Sequence, residues 1–442
     1  LRTYRLGVAS GPNDVSPGSL DLVAPVDWVE LRGINLARVT EDGFGMAMVG
    51  HRVGTDERRA ADPNMPSSGF GLALNASFRF SGSEATLVLQ DLLQSSTTRV
   101  AGRRVPLAGD YTAVLAFVYY ERQRRGRKLL AMLRPMAHRD MIGLYSIEPF
   151  REDKIPLILV HGLLSTAEGW LPFSNLLRAD PAVREKYQIV LFNYPNGQPI
   201  SKSSKQLRME LAAYRKSHDP RGSNPKMREM VIVGHSMGGI LSNIQIRDSG
   251  DRLKTLLFDS SLQEGEINSE TTEEIKDLLY FESNPDIKRA VFMATPHRGS
   301  AFATNPIGRF GAWLIRFPFD LVDGLLGEIE VIDALTDVAQ EASQRPRNSV
   351  TSLRPDNPML PAILDLPVRE GVPMHSVIAQ RNVNRPLEES GDGVVPYTSS
   401  HLEGVASEKI IPGSNHRNMV EDHDTIREVW RILRLHAGVR SE

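Results

Sequence analysis

From residue 155 onward, short apolar runs alternate with segments of helical spacing. "IPLILV" (155–160), "YQIVLFNYP" (187–195), "EMVIVG" (229–234), "RAVFMATP" (289–296), "MHSVIAQ" (374–380) and "SEKIIPG" (407–413) read as six strands. Between them, helices are predicted over 166–178, with Trp170, Phe173, Leu176 and Leu177 inward, over 203–216, and through "GGILSNIQIRD". A last helix is predicted over roughly 424–437. Strands that are apolar throughout, joined by amphipathic helices, indicate a parallel sheet covered on both faces. The expectation is an α/β, doubly wound, mostly parallel sheet.

The first 150 residues follow another rhythm. About seventy residues rich in Gly, Pro, Asp and Arg read as extended coverage with short strands. "GLALNASFRF" (71–80) then alternates, with Leu72, Leu74, Ala76, Phe78 and Phe80 on one face. "SGSE" makes a turn, and "ATLVLQDLL" alternates again, so a hairpin is predicted. Asp110 is placed to cap a helix carrying Tyr111, Val114, Leu115, Val118 and Tyr119 at helical spacing. "IGLYSIEP" reads as the strand that closes this part. Residues 1–150 are therefore expected to form a β-rich accessory region, and 151–442 the main domain.

Bulk composition removes several function classes. At 442 residues the chain is long enough for two domains, and 41% hydrophobic with 24% charged residues is ordinary for a globular protein. A formal net charge of −2 gives no general attraction to nucleic acid or to an anionic membrane. The absence of cysteine excludes disulfides, cysteine nucleophiles and thiolate metal sites. The run 155–160 is far too short to span a bilayer. The start at Leu1 rather than Met is read as processing, with any targeting segment lying upstream.

Gly234-His235-Ser236-Met237-Gly238 fits G-x-S-x-G, which a chain this long produces by chance about 0.1–0.2 times. Here an apolar strand precedes it and an amphipathic helix follows it, as a nucleophile elbow requires. A serine capping an ordinary helix is the plainer alternative. A serine nucleophile needs a base, and the base needs an orienting acid; on such a sheet they follow in the order Ser, acid, His. Asp392 lies in a Gly-Asp-Gly turn after strand 374–380, and His416 follows strand 407–413. His401, His423, Glu388 and Glu389 are weaker rivals by position. Acyl transfer also requires oxyanion donors. The N–H of Met237 is one candidate, and the Leu163 N–H, in the loop opened by His161-Gly162, is the other.

Together "LILVHG", "GHSMGG", "MATPHRGS", the Gly-Asp-Gly-Val-Val-Pro turn and the late "NH" resemble an α/β-hydrolase of the lipase and esterase type. The chain is most similar to bacterial esterase/lipase-family proteins, often read as lipoproteins, with an N-terminal β-rich region. The motifs span 155–436, about two thirds of the chain. The resemblance implies that Ser236, Asp392 and His416 are nucleophile, acid and base, and that Leu163 and Met237 supply the oxyanion hole. His161, Gly162 and His235 then support the site, with His297 and Arg298 bracing loops near its mouth. It also implies that the insertion within 300–362 is a helical cap, with Trp313 and Phe317 walling an apolar pocket. A helix pair packed permanently on the core is the alternative to a mobile lid.

The function expected is hydrolysis of an apolar carboxylic ester through an acyl-enzyme, with no cofactor and no metal. Alternatives are a phospholipase or lipid acyltransferase and, from another class, a catalytically silent envelope binding scaffold. The expected partner is a small-molecule or lipid ester. Peripheral membrane or envelope association, with a periplasmic or secreted location, follows from the resemblance and the non-Met start. The basic run Arg122, Arg124, Arg125, Arg127 and Lys128 reads more simply as a solvated helix end than as a headgroup contact.

Overall fold

The computed structural model describes residues 3–9, 14–29, 36–124, 142–195, 198–257, 280–300 and 353–439. Most of the expected cap, residues 301–352 with Trp313 and Phe317, and most of the basic run lie outside these residues.

Among the described residues, nine strands precede residue 111: β1 (Arg5–Val8), β2 (Leu22–Pro25), β3 (Thr40–Glu41), β4 (Met46–Arg52), β5 (Phe70–Ser81), β6 (Glu84–Asp91), β7 (Thr97–Val100), β8 (Arg103–Pro106) and β9 (Gly109–Asp110). Five of them form a sheet in the order β1-β6-β5-β4-β2, with the β5–β6 hairpin at its centre. That hairpin matches the alternating pattern. The stretch after Gly54 does not, because Asp56–Ala61 is a short helix rather than extended coverage. Thr55 caps it by accepting the Arg58 N–H, and two acidic residues occupy its first turn, where the helix dipole favours them. The helix Tyr111–Arg124 starts where Asp110 Oδ1 accepts the Ala113 N–H at 2.8 Å.

Seven strands form the larger sheet: β10 (Gly143–Ser146), β11 (Ile155–Val160), β12 (Tyr187–Asn193), β13 (Met230–His235), β14 (Ile287–Met293), β15 (Met374–Gln380) and β16 (Ser407–Pro412). Their order is β10-β12-β11-β13-β14-β15-β16, parallel throughout except for β10. One reading from the sequence needs correction here. "IGLYSIEP" does not close the N-terminal sheet; β10 pairs antiparallel with β12 at the edge of the larger one. Four residues of alternating character fit either edge equally well, and only pairing distinguishes them.

The larger sheet buries both faces. Helices Ile200–His218 and Met237–Ile244 cover one, through Leu207, Leu211, Ile240 and Leu241 against Ile158, Val190 and Ile232. Helices Leu171–Leu177 and His423–His436 cover the other, through Phe173, Leu177, Val429 and Ile432 against Leu157, Val231 and Val291. This is the doubly wound arrangement expected, and all six residues of β11 are buried.

Polar ties fasten the N-terminal part to the larger sheet. Thr112 Oγ1 donates to Asn175 Oδ1 at 2.8 Å, and Asn175 Nδ2 donates to the Ala37 carbonyl at 2.7 Å. Arg184 reaches Glu41 at 2.7 Å, and Asn64 Nδ2 donates to the Leu144 carbonyl at 2.8 Å. Nearby, Arg178 and Glu148 form an ion pair at 3.0 Å with both side chains buried. Removing one partner of such a pair strands a buried charge, which costs about 3–5 kcal/mol. Arg178→Met should lower the unfolding free energy by about that amount in urea titration. The double variant Arg178→Met, Glu148→Leu should recover most of the loss.

Candidate active site

The elbow is built from strain and close approach. Ser236 follows β13 with φ 55° and ψ −127°, a conformation that costs a non-glycine residue about 1–3 kcal/mol. Its N–H donates to the Met293 carbonyl at 2.8 Å, which ties the turn to β14. The glycines around it do not carry the left-handed backbone; none of Gly234, Gly238 and Gly239 has positive φ. They are small because the chain closes on itself. A Cβ on Gly238 would stand 2.2 Å from the Val160 carbonyl oxygen, and one on Gly234 would stand 2.4 Å from the Gly238 carbonyl oxygen. The helix Met237–Ile244 is thereby pressed against the end of β11. Leu164 and Ala294 also have positive φ, so three of the four described non-glycine residues with that backbone lie just after neighbouring strands β11, β13 and β14.

Three side chains from separate strand ends meet here. Ser236 Oγ lies 3.0 Å from His416 Nε2, and His416 Nδ1 lies 2.7 Å from Asp392 Oδ2. The carboxylate accepts from Nδ1–H, so Nε2 holds the lone pair to which the serine hydroxyl donates. Asp392 is itself fixed: its Oδ1 accepts the N–H groups of Val394 and Val395 at 2.8 and 2.7 Å, inside the Gly-Asp-Gly turn. The His416 N–H donates to the Asp392 carbonyl at 3.1 Å, so the two loops are also joined through their backbones.

His235 links the elbow to His416. Its Nε2–H donates to the His416 carbonyl at 2.9 Å, and the two rings lie 4.9 Å apart. Burial, reinforced by the neighbouring His416, pushes its pKa down to about 3, so the ring is neutral. His161 plays the corresponding part on the other side. Its Nδ1–H donates to the Gly162 carbonyl at 2.9 Å, its Nε2 receives the Tyr194 N–H at 3.4 Å, and Tyr194 stacks on it at 4.2 Å. Burial holds it neutral too, with a pKa of about 4. The Gly162 carbonyl also accepts the Ser165 N–H at 3.3 Å. In a planar trans peptide the next N–H points the opposite way, so the Leu163 N–H is directed away from these partners. Gly162 packs directly on the elbow, since a Cβ there would be 2.8 Å from Ser236 Cβ. Met237 is the first residue of its helix, and its N–H has no acceptor within that helix.

The other named residues sit elsewhere. His297 is buried behind the elbow helix, with Nδ1 3.4 Å from Asn243 Nδ2 and its edge against Phe292. Burial, with Arg247 and Arg298 nearby, lowers its pKa to about 3. Arg298 reaches the carbonyls of Thr398 and His401 at 3.2 and 2.5 Å, fastening the loop after β14 to the helix Tyr397–Ser400. Of the rivals, His401 is engaged with Glu408 at 2.7 Å, and Glu388 and Glu389 lie in a 3₁₀ turn with no buried residue. Arg247 and Asn243 were not singled out in the sequence. Arg247 donates to Asn243 Oδ1 at 2.8 Å and to the carbonyls of Leu364 and Leu366, anchoring the far end of the elbow helix.

Comparison with known proteins bears on the fold. The mature form of Bacillus licheniformis lipase BlEst2 matches with 14% identity and a TM-score of 0.40, over 66% of this chain and 97% of that one. EstA from Clostridium botulinum gives 14% and 0.37, over 63% and 87%. Lipase 1 from Pelosinus fermentans gives 12% and 0.38, over 65% and 100%. No curated protein matches this chain in sequence. The model of the Alpha/beta hydrolase family matches residues 157–429, which run from β11 through the elbow, Asp392 and His416 into the last helix. The chain belongs to the α/β-hydrolase family.

Proposed function

We propose that the chain is a serine carboxylic-ester hydrolase working through an acyl-enzyme. The observation that carries this reading is the hydrogen-bond chain from Ser236 through His416 to Asp392, set on a strained strand-to-helix turn. His416 Nε2 takes the hydroxyl proton as Ser236 Oγ attacks the ester carbonyl carbon. The carbonyl oxygen becomes an oxyanion held by the Leu163 and Met237 N–H groups. Collapse of the tetrahedral intermediate breaks the C–O bond to the alcohol, which leaves with the proton from His416. Water then repeats the sequence on the acyl-enzyme and frees the acid. Asp392 keeps His416 in the useful tautomer and stabilises the imidazolium. His235 and His161, both neutral, put no competing positive charge beside that imidazolium.

The test is turnover of a p-nitrophenyl ester series from acetate to palmitate. Ser236→Ala should lower kcat by about 10⁶, and Asp392→Asn by about 10⁴ with the fold intact. Activity that survives Ser236→Ala sinks the assignment. No turnover in the parent, together with no covalent fluorophosphonate label on Ser236, returns the protein to the binding-scaffold reading.

His235 acts here as a positioning residue. His235→Leu should lower kcat by about 10²-fold or less, with KM changed by no more than about threefold, because the base loop shifts while the pocket stays. An equal loss in His235→Leu and His235→Gln, with KM rising in both, would instead mean a packing role.

A further inference from the structure

The N-terminal sheet leaves one end of one face bare. Its register sets Leu6 level with Ala85 and Phe80, Val8 level with Leu87 and Phe78, and Met46 level with Ala76. Tyr4 continues the row and meets Phe80 edge-on at 5.2 Å. Farther along the same face, Phe70, Leu72 and Leu74 are buried under Met65, Val15 and Leu20. At the bare end nothing described covers the side chains: Leu6, Val8, Met46, Phe78 and Phe80 are between 50% and 68% exposed. The opposite face at this end carries exposed Arg5, Arg79 and Glu84 with half-buried Thr86, and becomes covered at the next rung, where Ser77 pairs with the buried Val88. The hairpin end is thus a blade that is apolar on one side and polar on the other. Isolated exposed apolar residues need no explanation, but a contiguous aromatic and aliphatic patch marks an interaction surface.

The chemistry of the patch limits its partner. Apart from the Tyr4 hydroxyl, its six side chains offer no hydrogen-bonding group, so they recognise an apolar surface and not a polar chain. The β7–β8 hairpin near the start of β4 is basic, while Asp42 and Glu84 are exposed acids near the patch. The β7–β8 hairpin is tied to Phe44, two residues before Met46, by the Phe44 N–H donating to the Pro106 carbonyl at 2.8 Å. It exposes Arg99, Arg103 and Arg104, and no acidic residue occurs between Asp91 and Asp110. Arg99 stands directly across the ladder from Arg104, a like-charge pair that an anion would relieve. An isologous contact between two copies through this face would carry the same cationic flank on both sides, which opposes it. A bilayer with anionic headgroups satisfies both features, taking the apolar side chains at the acyl boundary and the guanidinium groups at the phosphates. We propose that this blade docks the protein on an anionic lipid surface.

The test is sedimentation of the full chain with vesicles of phosphatidylcholine alone and of phosphatidylcholine with phosphatidylglycerol. The parent should bind the anionic vesicles, more weakly as salt rises, and the zwitterionic ones poorly. Phe78→Ser with Phe80→Ser, and separately Arg99→Glu with Arg104→Glu, should each weaken binding about tenfold or more. Both pairs are exposed, so thermal unfolding should match the parent. Repeating the measurement in Ser236→Ala separates docking from hydrolysis, so failure of the esterase reading leaves this result unaffected. The proposal is overturned if the parent stays in the supernatant with both vesicle types, or if the phenylalanine variant sediments like the parent. It is equally overturned if the parent, unbound to vesicles, dimerises and that variant does not, which would assign the face to a second copy.

Discussion

The site depends on one turn of backbone that serine does not favour. Ser236 holds φ near 55° because three neighbours leave it no relaxed alternative. Its N–H is committed to β14, Gly238 is pressed beneath the end of β11, and Gly162 lies against its Cβ. Relaxing the turn would break a ladder-end hydrogen bond and move a helix whose buried face includes Ile240, Leu241 and Ile244. A strain of about 1–3 kcal/mol persists only where the surroundings over-determine it. The parallel sheet does so here, because its strands are buried on both faces and cannot shift independently of the helices.

The same closeness governs the electrostatics. The Ser236 hydroxyl meets one imidazole, that of His416, and the His235 ring lies 4.9 Å from it. Burial keeps His235 and His161 neutral through the range where an unburied histidine would charge, since their pKa values fall to about 3 and about 4. Each then spends its ring N–H on a carbonyl, that of His416 in one case and that of Gly162 in the other. His416 alone pairs with a carboxylate, and that carboxylate has its second oxygen occupied by two backbone N–H groups. Its other oxygen is left to meet His416 Nδ1 at 2.7 Å.

Much of this could be read from the chain beforehand, for physical reasons. The strands β11 to β16 stand out because a doubly covered strand is apolar at successive positions, and "GHSMG" stands out because it lies between such a strand and a helix. Other features depend on contacts between distant residues, which periodicity does not encode. The alternation of 71–80 is the same for Leu72, which is buried, and Phe80, which is not, because covering segments come from Val15, Leu20 and Met65. The four residues of β10 fit either sheet until they pair with β12. The elbow glycines look like conformational devices in the sequence, yet what they provide is clearance. The bond from His235 to the His416 carbonyl joins residues 181 positions apart, and no local pattern announces it.

The way the N-terminal part is attached gives its surface a consequence for the site. Asn175 and Arg184, which receive Thr112, Ala37 and Glu41 from the N-terminal part, belong to the two helices that follow the His161-Gly162 loop. Thr112 also accepts the Val39 N–H, so one buried hydroxyl joins three segments. Buried polar groups matched this closely do not slide, because each displaced partner would be left unsatisfied at about 1–3 kcal/mol. The N-terminal part is therefore held in a fixed register against these two helices. Docking through the blade would fix the orientation of the elbow relative to the lipid surface, and no separate hinge would be needed to present it.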